Sequence, residues 1–273
     1  MATDGDGHSG LFQALVDLSL GHQPGPEYWR VELTPGQRYV AASTYFLLGV
    51  YNDDGRPISS WGDGFEAHSV EYFITQTLTQ LVRQLSRRTE RRQVAYRGQA
   101  RGRILWPATY KARFSGDNDE TLFVCRQVQR LYDTPENQLL KYVVEQLADC
   151  LAQVPASIRA GSCYRPDVLG GRFVPSGPRV TLIESALRLL RQHAVLRQVT
   201  PPERIDDSHI LSAETARLVE YADVARFYEA FRAAVLDCGW EQMTRIGRQI
   251  MPLPQHPSPG DPWLRLGAAI MRS

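Results

Sequence analysis

Leu131-Tyr-Asp-Thr-Pro-Glu-Asn-Gln-Leu-Leu-Lys-Tyr142, near the middle of the 273-residue chain, reads as the start of a helix. Thr134 stands where an N-cap hydroxyl would accept a hydrogen bond from a free first-turn amide. Pro135 follows at the first helical position, where its missing N–H costs nothing and its fixed φ suits the helix. Glu136 puts negative charge beside the positive end of the helix dipole. Leu139, Leu140, Val143, Val144, Leu147 and Leu151 then recur at helical spacing and form one apolar face about four turns long. Asn137 and Lys141, four residues apart, share a face. Capped amphipathic starts of this kind are most often core helices, so a structural role is the first expectation.

Upstream of this helix, residues 93–96 and 103–106 read as short strands around Gly98 and Gly102, the second stopped by Pro107. Residues 108–114 are helical or extended, 115–119 a loop, and 123–131 leads into the central helix. A helix starting at Ser69 carries Val70, Phe73, Ile74, Leu78, Leu81, Val82 and Leu85 on one side, with Arg83, Arg87 and Arg88 in its last turns. Nearer the N-terminus, residues 11–18 read as a short helix and 28–33 as a strand. Residues 39–51 are β-prone, with turns at 52–55 and 61–64.

Downstream, residues 161–178 are rich in Gly, Pro and Arg and read as an exposed loop or boundary. Residues 182–196 and 213–236 are amphipathic, separated by Pro201-Pro202. The five prolines of residues 251–262 exclude regular helix. The pattern predicts an α+β fold with a strand-containing N-terminal half and a helix-rich C-terminal half. Residues 1–10 form a disordered tail, 11–160 an α+β domain, 161–178 the loop and 179–273 a helical region.

Hydrophobic residues make up 43% and charged residues 22%, a globular balance. The net charge of +1 predicts no polyanionic partner by itself, but its distribution is uneven. Residues 1–82 carry 3 basic and 10 acidic side chains, whereas residues 83–113 carry 10 and 1. Arg97, Arg101, Arg103, Lys111 and Arg113 in that basic island alternate with Tyr96, Trp106 and Tyr110, a mixture suited to phosphate contact and base stacking. The competing reading is a solvated surface, or arginines paired with the acidic first segment. Cys125, Cys150, Cys163 and Cys238 are widely spaced, with no C-x-x-C pair, which favours buried thiols in a cytoplasmic protein. No apolar run approaches the ~18 residues of a membrane span.

Arg101-Gly-Arg-Ile-Leu-Trp106, followed after a variable segment by Tyr132-Asp-Thr-Pro-Glu-Asn137 and Leu140-Lys141, resembles the McrC-like proteins, partners of McrB-type AAA+ motors in modification-dependent restriction. In that family an RG-x-I/L strand precedes a DTPEN-x-x-(L/F)-K helix start, ahead of a PD-(D/E)XK nuclease. The resemblance covers residues 94–151, about a fifth of the chain. It makes Thr134, Pro135, Glu136 and Asn137 the structural motif of an α+β domain. The partners it implies are an AAA+ NTPase of McrB type, with DNA and a separate nuclease as further candidates. In such proteins the region ahead of the nuclease engages the motor and stimulates its NTPase, which makes the acidic first segment the candidate docking arm.

The nuclease half of the pattern is missing. A PD-(D/E)XK site needs metal-holding carboxylates and a lysine two residues beyond the second acid. Lys111 follows Thr109 and Lys141 follows Leu139 at that spacing. There is no phosphate-binding G-x-x-x-x-G-K-[ST] loop and no G-x-S-x-G nucleophile elbow. The six histidines never pair at metal-ligand spacing, Glu66 with His68 coming nearest. The expectation is a non-catalytic McrC-like subunit of a prokaryotic restriction or antiphage complex, with no metal and no cofactor. The alternative is a stand-alone nucleic-acid-binding module using residues 83–113. A third reading is an enzyme whose site is assembled from scattered residues.

Overall fold

The computed structural model describes residues 34–49, 69–115, 119–165, 172–237, 250–255 and 262–272. The expected tail at 1–10, helix at 11–18, strand at 28–33, turns at 52–55 and 61–64, Glu66 with His68, and Cys238 lie outside the described residues.

Thr34 opens helix α1 (Pro35–Leu48) with a capping box: its hydroxyl accepts from the Gln37 amide, and the Gln37 side chain accepts from the Thr34 amide at 3.0 Å. The β-prone reading of residues 39–51 is therefore corrected over residues 39–48, because the cap and Pro35 commit the segment before its β-branched residues are reached; residues 50 and 51 lie outside the described residues. Helix α2 starts at Ser69, whose hydroxyl accepts from the Tyr72 amide at 3.1 Å. It runs through Val70–Tyr72, a π-helical stretch Phe73–Leu78 and Thr79–Val82. The helix stops there, so Arg87 and Arg88 do not complement its dipole; Arg88 already belongs to a strand.

Strands β1 (Arg88–Arg97) and β2 (Arg103–Ile104), helix α3 (Trp106–Phe114) and strand β3 (Leu122–Leu131) follow, making a three-stranded antiparallel sheet of order β1-β3-β2. Helix α4 (Pro135–Gln153) is the central helix, packing against α1 and against α6 (Ser176–Gln192), α7 (Asp207–Glu214) and α8 (Val219–Phe231). All six apolar residues of its predicted face are buried. Truncating any one of the four leucines to Ala would cost about 2–5 kcal/mol. Around α4 the rings of Phe46, Phe73 and Phe227 pack closely, Phe73 stacked on Phe227 with centroids 3.9 Å apart. An ion pair between buried Arg179 and half-exposed Glu71, at 3.0 Å, ties α6 to α2, while the Arg179 guanidinium also donates to the Leu48 carbonyl at 2.7 Å.

After the short α5 (Ala156–Arg159), residues 161–178 are not one loop. β4 (Ser162–Arg165) and β5 (Arg172–Pro175) pair there, and β6 (Met251–Leu253) adds to β4 within the region expected to be helical. Gly161 marks the contact: a Cβ there would lie 2.0 Å from the Leu253 carbonyl oxygen. The amphipathic stretch 213–236 is also divided, α7 ending at Glu214 before α8 begins at Val219, and a π-helical turn Arg232–Leu236 extends α8. Helix α9 (Pro262–Arg272) places Leu266 and Ile270 in the same buried cluster as residues of α1, α2, α4 and α8. One core thus runs across the expected boundary at 161–178. The class is α+β, with the longest strands in the N-terminal half and long helices dominating the remainder. Cys125, Cys150 and Cys163 are buried, and the Cys163 sulfur lies 3.2 Å from the Ser176 hydroxyl. No helix among the described residues is long and apolar enough to cross a membrane.

Candidate nucleic-acid interface

β1 and β3 pair over ten residues each, from Arg88 opposite Leu131 to Arg97 opposite Leu122, and form a two-stranded arm. Gly98 and Gly102 turn the chain at positive φ, 73° and 98°. Gly102 has a second reason to be glycine, since a Cβ would meet the Arg126 carbonyl oxygen at 2.7 Å. That close approach lets β2 join β3, with Arg103 opposite Arg126 and Ile104 opposite Cys125. Helix α3 then continues along the same edge. The Leu105 amide donates to the Val124 carbonyl at 2.8 Å, and the buried Thr109 hydroxyl accepts from the Val124 amide at 2.9 Å.

Directly opposed residues share a face of a sheet and alternate along each strand. The register therefore puts Arg91 and Arg97 of β1, Arg103 of β2, and Arg126 and Arg130 of β3 on one face, with no acidic strand residue among them. All five are exposed. Arg97 pairs with Asp119 at 3.1 Å; Arg91, Arg103, Arg126 and Arg130 form no ion pair among the described residues. Hydrogen bonds from Thr121, then the charge of Arg97, hold the Asp119 carboxyl below the usual carboxylate range. Arg103 and Arg126, like charges in directly opposed positions, disfavour the sheet.

The other face is the arm's own small core. There Arg101 lies over the Tyr96 ring (5.9 Å to the centroid) and Arg113 over Phe123 (4.8 Å), while Arg113 Nε donates to the Leu122 carbonyl at 2.7 Å. Of the five residues singled out from sequence, Arg97 and Arg103 stand on the arginine face. Arg101 and Arg113 cover aromatic rings on the opposite side, and Lys111 projects from the exposed side of α3. Arg126 and Arg130 were missed because they lie beyond the basic island. Their signal is the period-two pattern Arg126-x-Val128-x-Arg130.

The Asp133-to-Asn137 motif anchors this arm. Asn137, 0% exposed, donates from one side-chain amide to the Ser86 carbonyl (2.8 Å), just before β1, and to the Tyr132 carbonyl (2.7 Å), just after β3. Its oxygen accepts from the Tyr221 hydroxyl, which in turn accepts from the Ser86 amide at 2.8 Å. Burial pushes the Tyr221 hydroxyl pKa up, so it stays a donor. Glu136 accepts from the Ser86 hydroxyl, and Asp133 accepts from the Thr200 amide (3.1 Å) and from Gln138 (2.9 Å). Both legs of the arm are thus clamped by one buried amide.

Thr134 sits at the N-cap position with extended backbone, yet makes no capping hydrogen bond, and its buried hydroxyl has no partner among the described residues. The expected capping bond is therefore corrected: Pro135, the apolar face and Asn137 define this helix start.

No family model, curated protein or solved structure matches this chain. At the foot of the arm a cleft of ≈ 760 Å³ continues the basic surface, with exposed Arg83, Arg87 and Arg217 on its rim and Tyr132, His193 and Tyr221 in its lining. Among the described residues there is no group of three or more His, Cys, Asp or Glu side chains placed to hold a metal. Of the ten acidic residues in the first segment only Glu71 is described, and it pairs with Arg179 rather than with the basic island.

Proposed function

We propose that the protein binds nucleic acid through phosphate contacts on the arginine face of the β1–β3 arm, as a McrC-like subunit acting beside an AAA+ NTPase in a prokaryotic restriction or antiphage complex. The observation that carries the binding reading is the five-arginine face, four members of which form no ion pair among the described residues. The McrC-like part rests on the motif resemblance. Its support is that the Arg101–Ile104 element and the Asp133–Asn137 element, separate in sequence, serve one unit as strand edge and anchor.

An arm of this shape positions itself on the backbone, since phosphate contacts carry no sequence information. Four arginines neutralising four phosphates would give a logarithmic salt slope of about −3.6 on duplex DNA, from ~0.9 per phosphate. A salt series with labelled DNA tests this, using the whole chain and Arg126→Gln/Arg130→Gln. The expected result is a slope flattened by about 1.8 with thermal stability unchanged or raised, because like charges are removed. Lowered stability with unaltered affinity would assign the arginines a structural role instead. Co-purification of an NTPase with the chain, and stimulation of its turnover, tests the assembly; binding to DNA with no NTPase partner would favour the stand-alone module.

A further inference from the structure

Helix α3 carries three large rings at successive helical turns, Trp106, Tyr110 and Phe114, which are 48%, 52% and 75% exposed. The Trp106 and Tyr110 rings already stack on one another, with centroids 5.8 Å apart and planes inclined by 30°. Alongside the ridge, about 100° around the helix from its centre, Thr109 is buried against β3. The helix packs on β3 through Thr109 and Arg113, and the ring ridge beside that contact stays about half exposed or more. Lys111 is exposed beside them on the same helix. The arm as a whole, residues 88–131, has ten basic and four acidic side chains, a net of +6.

We propose that this ridge takes the unpaired bases of single-stranded nucleic acid while the arginine face holds the same strand's phosphates. The assignment rests on the phosphate-binding reading of the arm and names the substrate class. Aromatic rings accept any base by its π-face but reach bases only when these are out of a duplex stack. Charge complementarity with the arm selects a polyanion as occupant over an apolar protein surface. The distances allow one strand to use both elements: Trp106 is three residues past Arg103, so their Cα atoms are at most about 11 Å apart.

The test compares a labelled 20-nucleotide thymidine strand with a 20-base-pair duplex, on the whole chain, in Trp106→Ala/Tyr110→Ala and in Trp106→Phe/Tyr110→Phe. The Ala pair should weaken single-strand binding about tenfold per ring removed, leave duplex affinity within twofold and leave the salt slope unchanged. The Phe pair should recover most of the loss. Because the rings face solvent, a circular dichroism melt should coincide with the unaltered chain. Equal losses on both ligands, no loss on either, or an unaltered chain that binds only duplex would each overturn the single-strand assignment while leaving phosphate binding in place. An unaltered chain that binds neither ligand would overturn both.

Discussion

Asn137→Ala should be strongly destabilising. The side chain is fully buried and makes three hydrogen bonds, to the Ser86 carbonyl, the Tyr132 carbonyl and the Tyr221 hydroxyl. Each bond contributes about 1 kcal/mol net, and each partner stranded away from water adds a desolvation cost, so the total loss is about 3–4 kcal/mol. Thr134→Val, three residues away, provides the control. A capping threonine would lose about 1 kcal/mol, but this hydroxyl is buried without a partner, so its removal should be neutral or slightly stabilising. Urea denaturation followed by far-ultraviolet circular dichroism measures both. Limited proteolysis within residues 88–131 reports separately on the arm, which Asn137→Ala should expose to cleavage at urea concentrations well below the global midpoint. A loss under about 1 kcal/mol for Asn137→Ala, or a larger loss for Thr134→Val, would refute the view that the clamp and not the cap defines this helix start.

Gly102→Ala should destabilise by about 1–2 kcal/mol from positive φ alone and further through the 2.7 Å approach to the Arg126 carbonyl; Gly98→Ala, with open space around it, should show only the first part in the same urea melts. Asp206 caps α7 by accepting from the amides of Ser208 and His209, and the Ser208 hydroxyl, then the His209 ring, draws its carboxyl down to about 2. A folded pKa below the unfolded one stabilises above about pH 4 and loses that contribution as pH falls through about 2. The urea midpoints of Asp206→Ala and the unaltered chain should therefore differ at pH 6 and converge toward pH 2. Arg103→Gln, which relieves the direct opposition to Arg126, should leave the melting temperature unchanged or raised while weakening DNA binding.

The sequence alone determined the central helix, because cap position, proline and apolar period all lie within twenty residues and report the same element. It likewise determined the helix beginning at Ser69 and the α+β class. The same local logic holds the capping box at Thr34, which the β-prone residues after it obscured. Only the tertiary structure decided what Thr134 and Asn137 do. An N-cap bond depends on a rotamer, and here the threonine is buried without one while an amide three residues on reaches Ser86, 51 positions away. The strands at 162–165 and 172–175 were equally hidden, since β4 is completed by β6 from nearly ninety residues downstream and turn residues carry no record of that partner. The arginine face was half visible. Clustering along the chain revealed Arg97 and Arg103, but which side a strand residue faces, and that Arg126 and Arg130 stand beside them, follows from register. Register is set by hydrogen bonds between distant strands, and no local window of sequence contains it.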